Sequence, residues 1–371
     1  MQIQGYCEDQ FLEVKNLFES FFNNQIEIGS NLALIKNGKV LINLYSGTKN
    51  KNQDPWDENT LTNTFSLSKG IYAGCVAKLI NLNEIDIEKN IYFYWPSFKK
   101  NNKQNIKVKH LLSHQSGLYR FKSLINNQDL LDWDKIIYLI ENQEPDHASG
   151  EATFYHAKTH GFIVGELIKK ITNLNLNDFF YNHIGKPYEI NFHFGVKDKN
   201  LNNISDLVET ENNNKTIENN EFDAFNNPKH DVQFYNSLEW RKSLVPSMGG
   251  HGNALAVAKY YDILSNDIKN SYNKIISKNI FKTILEQSTT QKDGSLGIPI
   301  RWTYSGFILR GGWMFGKNKE SFGHNGWGGS LGFGDPVEGF GLAYITRKVN
   351  SGMGADTRAV QLVKKIYDCL I

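Results

Sequence analysis

Asn37-Gly38 lies between two apolar runs, Asn31-Leu-Ala-Leu-Ile35 and Val40-Leu-Ile-Asn-Leu-Tyr45, and commits this chain to antiparallel sheet. An Asn-Gly pair takes the positive φ angles of a tight turn at little cost, so the flanking runs fold back on each other as a hairpin. Ahead of it, apolar residues at Phe11, Leu12, Val14, Leu17, Phe18, Phe21 and Phe22 repeat with the period of a helix. Strand patterns return late, over Arg301–Leu309, Gly311–Phe315, Ser330–Phe333 and Phe340–Thr346, and an amphipathic helix follows over Asp356–Ile371. The intervening sequence reads as mostly helical, most clearly over Val108–Leu112 and Gly161–Ile171. We therefore expect an α+β fold. Residues 1–62 and 254–371 make one unit, an antiparallel sheet with terminal helices, and residues 63–253 make a mostly helical one, with the active site at their interface. Within the second unit, residues 200–228 are rich in Asn, Glu, Asp and Lys and read as a solvated excursion.

Composition removes several classes of function. The 371 residues suffice for a large core, and 41 basic against 39 acidic residues give no electrostatic footprint for nucleic acid or an anionic membrane. A mean hydropathy of -0.46 and the lack of a long apolar run exclude a membrane span. The start, Met1-Gln-Ile-Gln-Gly-Tyr-Cys-Glu-Asp9, has no export or transit pattern, so a cytoplasmic location is expected. Cys7, Cys75 and Cys369 are scattered and odd in number, which suits a reducing compartment and offers no zinc signature.

Chemistry begins at Ser66-Leu-Ser-Lys69. Ser-x-x-Lys also occurs at Ser46, Ser97 and Ser271, so context must choose among four candidates. Ser46 ends a strand pattern, Ser97 follows the turn signal Trp95-Pro96, and Ser271 lies in a polar Asn/Lys stretch. Only Ser66 opens an apolar helix, with Ile71, Val76, Leu79 and Ile80 to anchor it. Such a helix holds a hydroxyl and an amine one turn apart beside unpaired backbone N–H groups. The competing role for Ser66 is a simple helix N-cap.

Two further segments carry candidate groups. Thr153-Phe-Tyr-His-Ala-Lys-Thr-His160 leads into a helix and can project the Tyr155 phenol into a cleft, although by itself Tyr155 reads as a packing residue. His156 and His160 are four apart but gather no further ligands, and neither a metal nor any other cofactor is expected. Ser321-Phe-Gly-His-Asn-Gly-Trp-Gly-Gly-Ser330 could present His324 and the Trp327 N–H at a strand edge, with glycines admitting a ligand close to the backbone. It lacks the spacing of a phosphate-binding loop.

Ser66-x-x-Lys69, Tyr155 and His324-Asn-Gly326, in this order, resemble the three motifs of the serine β-lactamase and penicillin-binding-protein superfamily, specifically its class C and carboxylesterase branch. His110-Leu-Leu-Ser-His-Gln-Ser-Gly-Leu118 and Gly332-Phe-Gly-Asp-Pro336 support the likeness, which spans nearly the whole chain. It implies a β-lactamase/transpeptidase-like fold, an acyl-Ser66 intermediate, proton transfer shared between Lys69 and Tyr155, and an oxyanion hole made by the Ser66 and Trp327 backbone N–H groups. It gives His324 the task of orienting Tyr155 or substrate. Asn325, Gly326 and Trp327 would border the substrate, while Phe65, Phe154 and Tyr119 suggest an apolar acyl pocket, with core packing as the default for each. Ser68, His114, His147 and His251 could line the cleft, though hydrogen-bonded structural roles are the simpler reading for all four.

Two departures decide the expected chemistry. Ala157 stands where lactam-processing members carry an amide, and His324 stands where they usually carry lysine. Neither replacement can hold a lactam's amide side chain and carboxylate well, so the expected reaction is hydrolysis of carboxylic esters, or acyl transfer to an alcohol. The alternatives are an amidase, D-amino-acid peptidase or β-lactam hydrolase using the same serine, and a catalytically silent binding or assembly protein. The expected partner is a small acyl substrate; oligomeric state is not legible.

Overall fold

The computed structural model describes residues 2–210, 223–266, 275–288, 292–350 and 356–370; Ser271 and residues 211–222 of the polar excursion lie outside these ranges. Its centre is an eight-stranded, wholly antiparallel sheet. The strands are β1 (Gln4–Cys7), β2 (Gly29–Lys36), β3 (Lys39–Gly47), β4 (Arg301–Trp302), β5 (Ile308–Leu309), β6 (Phe322–Asn325), β7 (Leu331–Asp335) and β8 (Phe340–Thr346). They are ordered β1-β3-β2-β8-β7-β6-β5-β4, so the two ends of the chain meet where β2 pairs with β8.

The expected hairpin is β2 and β3, turned by Asn37 at φ 52° and Gly38 at φ 79°. Alternation then sorts side chains by face. Leu32 and Leu34 join Leu342 and Tyr344 under the terminal helices α1 (Leu12–Asn23) and the last helix, Thr357–Cys369. Ala33 and Ile35 join Ala343 and Ile345 on the opposite face, against the helix Ala254–Asn266. That helix lies close because the strands beneath it carry glycine: a methyl at Gly341 would fall 2.0 Å from the Ala258 carbonyl oxygen.

Two expected strands need correction. Arg301–Leu309 is not one strand but two short ones, with Gly306 at φ 96° in the turn between them. Gly311–Phe315 is a turn, in which Gly312 N–H donates to Gly316 O at 2.7 Å and both glycines have positive φ. Glycine supplies the conformation that a strand pattern in the side chains conceals.

A second, three-stranded sheet joins Thr62–Asn63, Gly250–Gly252 and Phe192–Phe194. Beside it runs α2 (Leu67–Asn81), in which 12 of 15 residues are buried, so the helix threads the core instead of lying on it. Gly70, Ala73, Gly74 and Ala77 make this possible; a methyl at Gly74 would meet Tyr260 Oη at 2.1 Å. We propose that residues 1–62 with 254–371 and residues 63–253 are the two units of the chain, joined intimately, since the larger apolar core draws on both. Among the described residues no helix is long and apolar enough to cross a membrane.

Candidate active site

Ser66 stands immediately before α2, behind Phe65, which is held at φ 48°. A positive φ on a bulky residue is strained, and here it turns the chain sharply from Thr62–Asn63 into the helix. The Ser66 side chain makes no capping hydrogen bond. Its hydroxyl is therefore free of the N-cap role that competed with catalysis, and it lies 3.2 Å from Lys69 Nζ. The other Ser-x-x-Lys serines are engaged elsewhere: Ser46 donates to Gln2 O and Ser97 to Glu141 Oε1.

Lys69 is fully buried, and its Nζ donates to Ala157 O at 2.8 Å and Ser247 O at 3.1 Å. No carboxylate pairs with it among the described residues. Burial, reinforced by Lys158, holds its pKa well below the ordinary lysine value. Tyr155 is also buried, with its ring stacked on Trp302 at 5.5 Å and its phenol hydrogen-bonded to Ser66. Its backbone N–H donates to Asp293 Oδ1 at 3.1 Å. Burial raises its pKa, and the Ser66 bond opposes this only in part.

His324 comes from β6 and sits 6.2 Å, ring to ring, from Tyr155. Its Nδ1 lies 2.7 Å from Asn325 O, and because a carbonyl can only accept, Nδ1 carries the proton. Nε2 is therefore a bare acceptor, buried and without a partner among the described residues. Burial first, then Lys69, lower its pKa well below the usual histidine value, so the ring is neutral. The strand can approach α2 because of Gly70. A methyl there would sit 2.1 Å from Tyr261 Oη and 3.1 Å from His324 Cβ. Gly70→Ala is accordingly expected to cost about 1–3 kcal/mol of stability through overpacking. It should also shift His324, seen as a lower melting temperature together with a reduced kcat.

These groups open onto one cleft of about 50 Å³, lined by Phe65, Ser66, Tyr155, His324, Asn325 and Trp327. Trp327 is clamped edge-on by Phe65 at 5.1 Å and stacked on His230 at 4.3 Å. Neither the Ser66 nor the Trp327 backbone N–H donates to another backbone group among the described residues. Gly326 is not a wall of the cleft; its N–H donates to Ser330 O, and a methyl there would strike Thr64 O at 2.2 Å. Tyr119 and Phe154 stack on each other at 4.6 Å away from the cleft, so the apolar lining comes from other residues.

Those residues are Phe225, Met248, Leu296, Trp302 and Ile308, with the side chains of Lys158 and Arg310. Phe225 corrects the picture of a solvated 200–228 excursion, because Ala224, Phe225 and Asn227 are buried. Lys158 Nζ donates to the carbonyls of Phe225 and Pro228, and Asn227 bonds the Phe121–Ile125 loop. The apolar pair Ala224-Phe225 beside Pro228 was the available signal. Of the four histidine and serine candidates, Ser68 accepts from Gly250 N–H, His114 Nδ1 accepts from His156 N–H, and His147 and His251 donate to the Ala148 and Gly249 carbonyls. His156 spends both ring nitrogens, on Phe154 O and the Ser116 hydroxyl.

A model of the beta-lactamase family matches residues 14–365. The chain belongs to the beta-lactamase family. Among curated relatives it is similar to the esterase/beta-lactamase LipL of Mycobacterium tuberculosis, 23% identical over 94% of this chain and 84% of that one. Among solved structures it is similar to a family VIII carboxylesterase, 29% identical with a TM-score of 0.92, both chains covered in full. A penicillin-binding-protein homologue from Caulobacter crescentus matches equally well, 27% identical and also with a TM-score of 0.92 over both whole chains. The family's fold, an antiparallel sheet flanked by terminal helices plus helical material, is the one expected from the motifs.

Proposed function

We propose that this beta-lactamase-family chain is a serine hydrolase of carboxylic esters working through an acyl-Ser66 intermediate. One observation carries the mechanism. A neutral amine has two hydrogens and one lone pair. Lys69 places two carbonyl oxygens, of Ala157 and Ser247, where the hydrogens go, which leaves the lone pair for its third neighbour, the Ser66 hydroxyl. Burial favours that neutral form.

The same burial separates the roles of amine and phenol. Both are driven towards neutrality, but a neutral amine is a base whereas a neutral phenol is an acid. Lys69 thus takes the Ser66 proton as the hydroxyl attacks the ester carbonyl. Tyr155 keeps its proton until the departing alcohol needs one, and regains it, through Lys69, when water or an acceptor alcohol attacks the acyl-enzyme. The free N–H groups of Ser66 and Trp327 are the oxyanion donors, and loss of one such donor typically costs about 3 kcal/mol in the transition state. Nε2 of His324 accepts from the phenol or from a donor on the substrate.

Esters are favoured over lactams by Ala157, which offers only its carbonyl, already taken by Lys69. The relatives described as esterases support the same choice. The narrow cleft favours short acyl chains. The intact Ser66, Lys69 and Tyr155 speak against a silent binding protein. The three unpaired cysteines support a cytoplasmic location. A serine-directed phosphonate should add one equivalent of mass at Ser66, and nitrophenyl acetate and butyrate should be hydrolysed at least about 100-fold faster than a chromogenic cephalosporin or a D-alanyl amide. Labelling elsewhere, or a preference for either amide substrate, would overturn the reading.

A further inference from the structure

Arg310 follows β5 and lines the same cleft as Ser66, Tyr155 and His324. It is 8% exposed. Among the described residues its guanidinium makes one hydrogen bond, a long contact from Nη1 to Met314 Sδ, 3.8 Å. No carboxylate lies within ion-pair distance among the described residues. The nearby acid, Asp293, acts on Arg310 only from beyond ion-pair distance; its Oδ1 accepts from the backbone N–H groups of Tyr155, Ser295 and Leu296, and its Oδ2 from Trp302 Nε1. On the outer side the guanidinium is covered by the Trp313 ring, 5.2 Å away.

This is an expensive arrangement. Arginine stays protonated under any ordinary condition, and a buried charge that forms no ion pair is costly. Lys69 and Lys158 avoid that cost, since burial drives both towards the neutral amine and each spends its hydrogens on carbonyls. Arg310 has neither escape; burial brings its pKa only down to about 10. The cleft therefore holds one permanent positive charge, a planar set of donors, and a neutral histidine where a second cation would have competed for the same anion.

Building on the esterase reading, we propose that the counter-ion of Arg310 is the substrate itself: the enzyme acts on short esters bearing a free carboxylate, which the guanidinium binds while Ser66 attacks the ester group. The Gly311–Gly316 turn holds the backbone from which this side chain springs, through Phe315 N–H to Arg310 O at 3.2 Å and the Gly312–Gly316 bond. The turn is thus a specificity element.

Two matched pairs of alkyl esters test this, followed in a pH-stat with Ser66→Ala as blank: monomethyl against dimethyl glutarate for a carboxylate on the acyl half, and acetoxyacetate against 2-methoxyethyl acetate for one on the alcohol half. Wild type should favour the anion at least about tenfold in kcat/KM in one pair, carried by KM. Arg310→Met should bring that ratio near one, and Arg310→Lys should keep part of it. Should Arg310→Met fail to fold, competition on wild type decides: glutarate should inhibit hydrolysis of nitrophenyl acetate where glutaramide does not. Equal handling of both pairs without inhibition by glutarate, or a preference that survives Arg310→Met, overturns the proposal while Ser66-dependent cleavage of nitrophenyl acetate leaves the esterase reading intact. Absence of any Ser66-dependent ester cleavage overturns both.

Discussion

Ser66→Ala lowers turnover of short nitrophenyl esters by at least about 10,000-fold, because covalent catalysis is lost outright and only binding and the oxyanion donors remain. The structure makes this an unusually clean substitution. The Ser66 hydroxyl caps nothing, so its removal leaves no backbone donor of α2 newly unpaired. The melting temperature should accordingly stay within a few degrees of wild type while kcat collapses. Both are read from one preparation by steady-state kinetics and a thermal melt. Equal loss of stability and activity would mean that the hydroxyl holds the helix start and not the acyl group.

Lys69→Met should cost about 1,000-fold or more in kcat, since general-base transfer contributes about 100- to 10,000-fold and the positioning of Ser66 goes with it. Unlike the serine variant, it should also destabilise. The Ala157 and Ser247 carbonyls lose their shared donor in a dry site, at roughly 1–3 kcal/mol for each buried group left unsatisfied. In the wild-type enzyme, protonation of Lys69 removes the base, so kcat/KM falls as pH falls through its folded-state pKa. That pKa is depressed by burial, which puts the acid limb of the pH profile well below the lysine range. His324 makes no limb near pH 6.5, because its own pKa is depressed further down. A limb at the ordinary lysine value would refute a buried neutral base. Lys69→Met with Tyr155→Phe should be much less than additive, as expected when the two groups pass one proton along a single route.

Local patterns were legible wherever one residue pair or one period settles the backbone. Asn37-Gly38 specified its hairpin, and the run from Phe340 to Thr346 specified a central strand, because these depend on turn chemistry and alternation. The proposed catalytic groups were legible for a different reason: Ser66, Lys69, Tyr155 and His324 stand in motifs whose residue types and order resemble those of a known family. The walls of the cleft were not. Phe225 and Leu296 reach the site from polar or Gly-rich stretches, and nothing local distinguishes them from surface loops. Tyr119 and Phe154 were natural guesses from proximity in sequence, yet ring stacking between them turns both aside. The carbonyls of Ala157 and Ser247 are invisible in any motif, since every residue has one and only the fold selects which two face the amine. Gly311–Phe315 misled by its aromatic residues, while its glycines already spelled a turn.

The join between β2 and β8 ties residues 29–36 to residues 340–346. During synthesis the leading hairpin therefore waits, one edge bare, for a partner made about three hundred residues later. A ribosome that has already released the serine and its lysine has not yet made the histidine strand, nor the one that zips it to the beginning. Ester cleavage is thus a property the polypeptide acquires all at once, when residues 340–346 join the sheet, and a copy that lacks them is chemically inert.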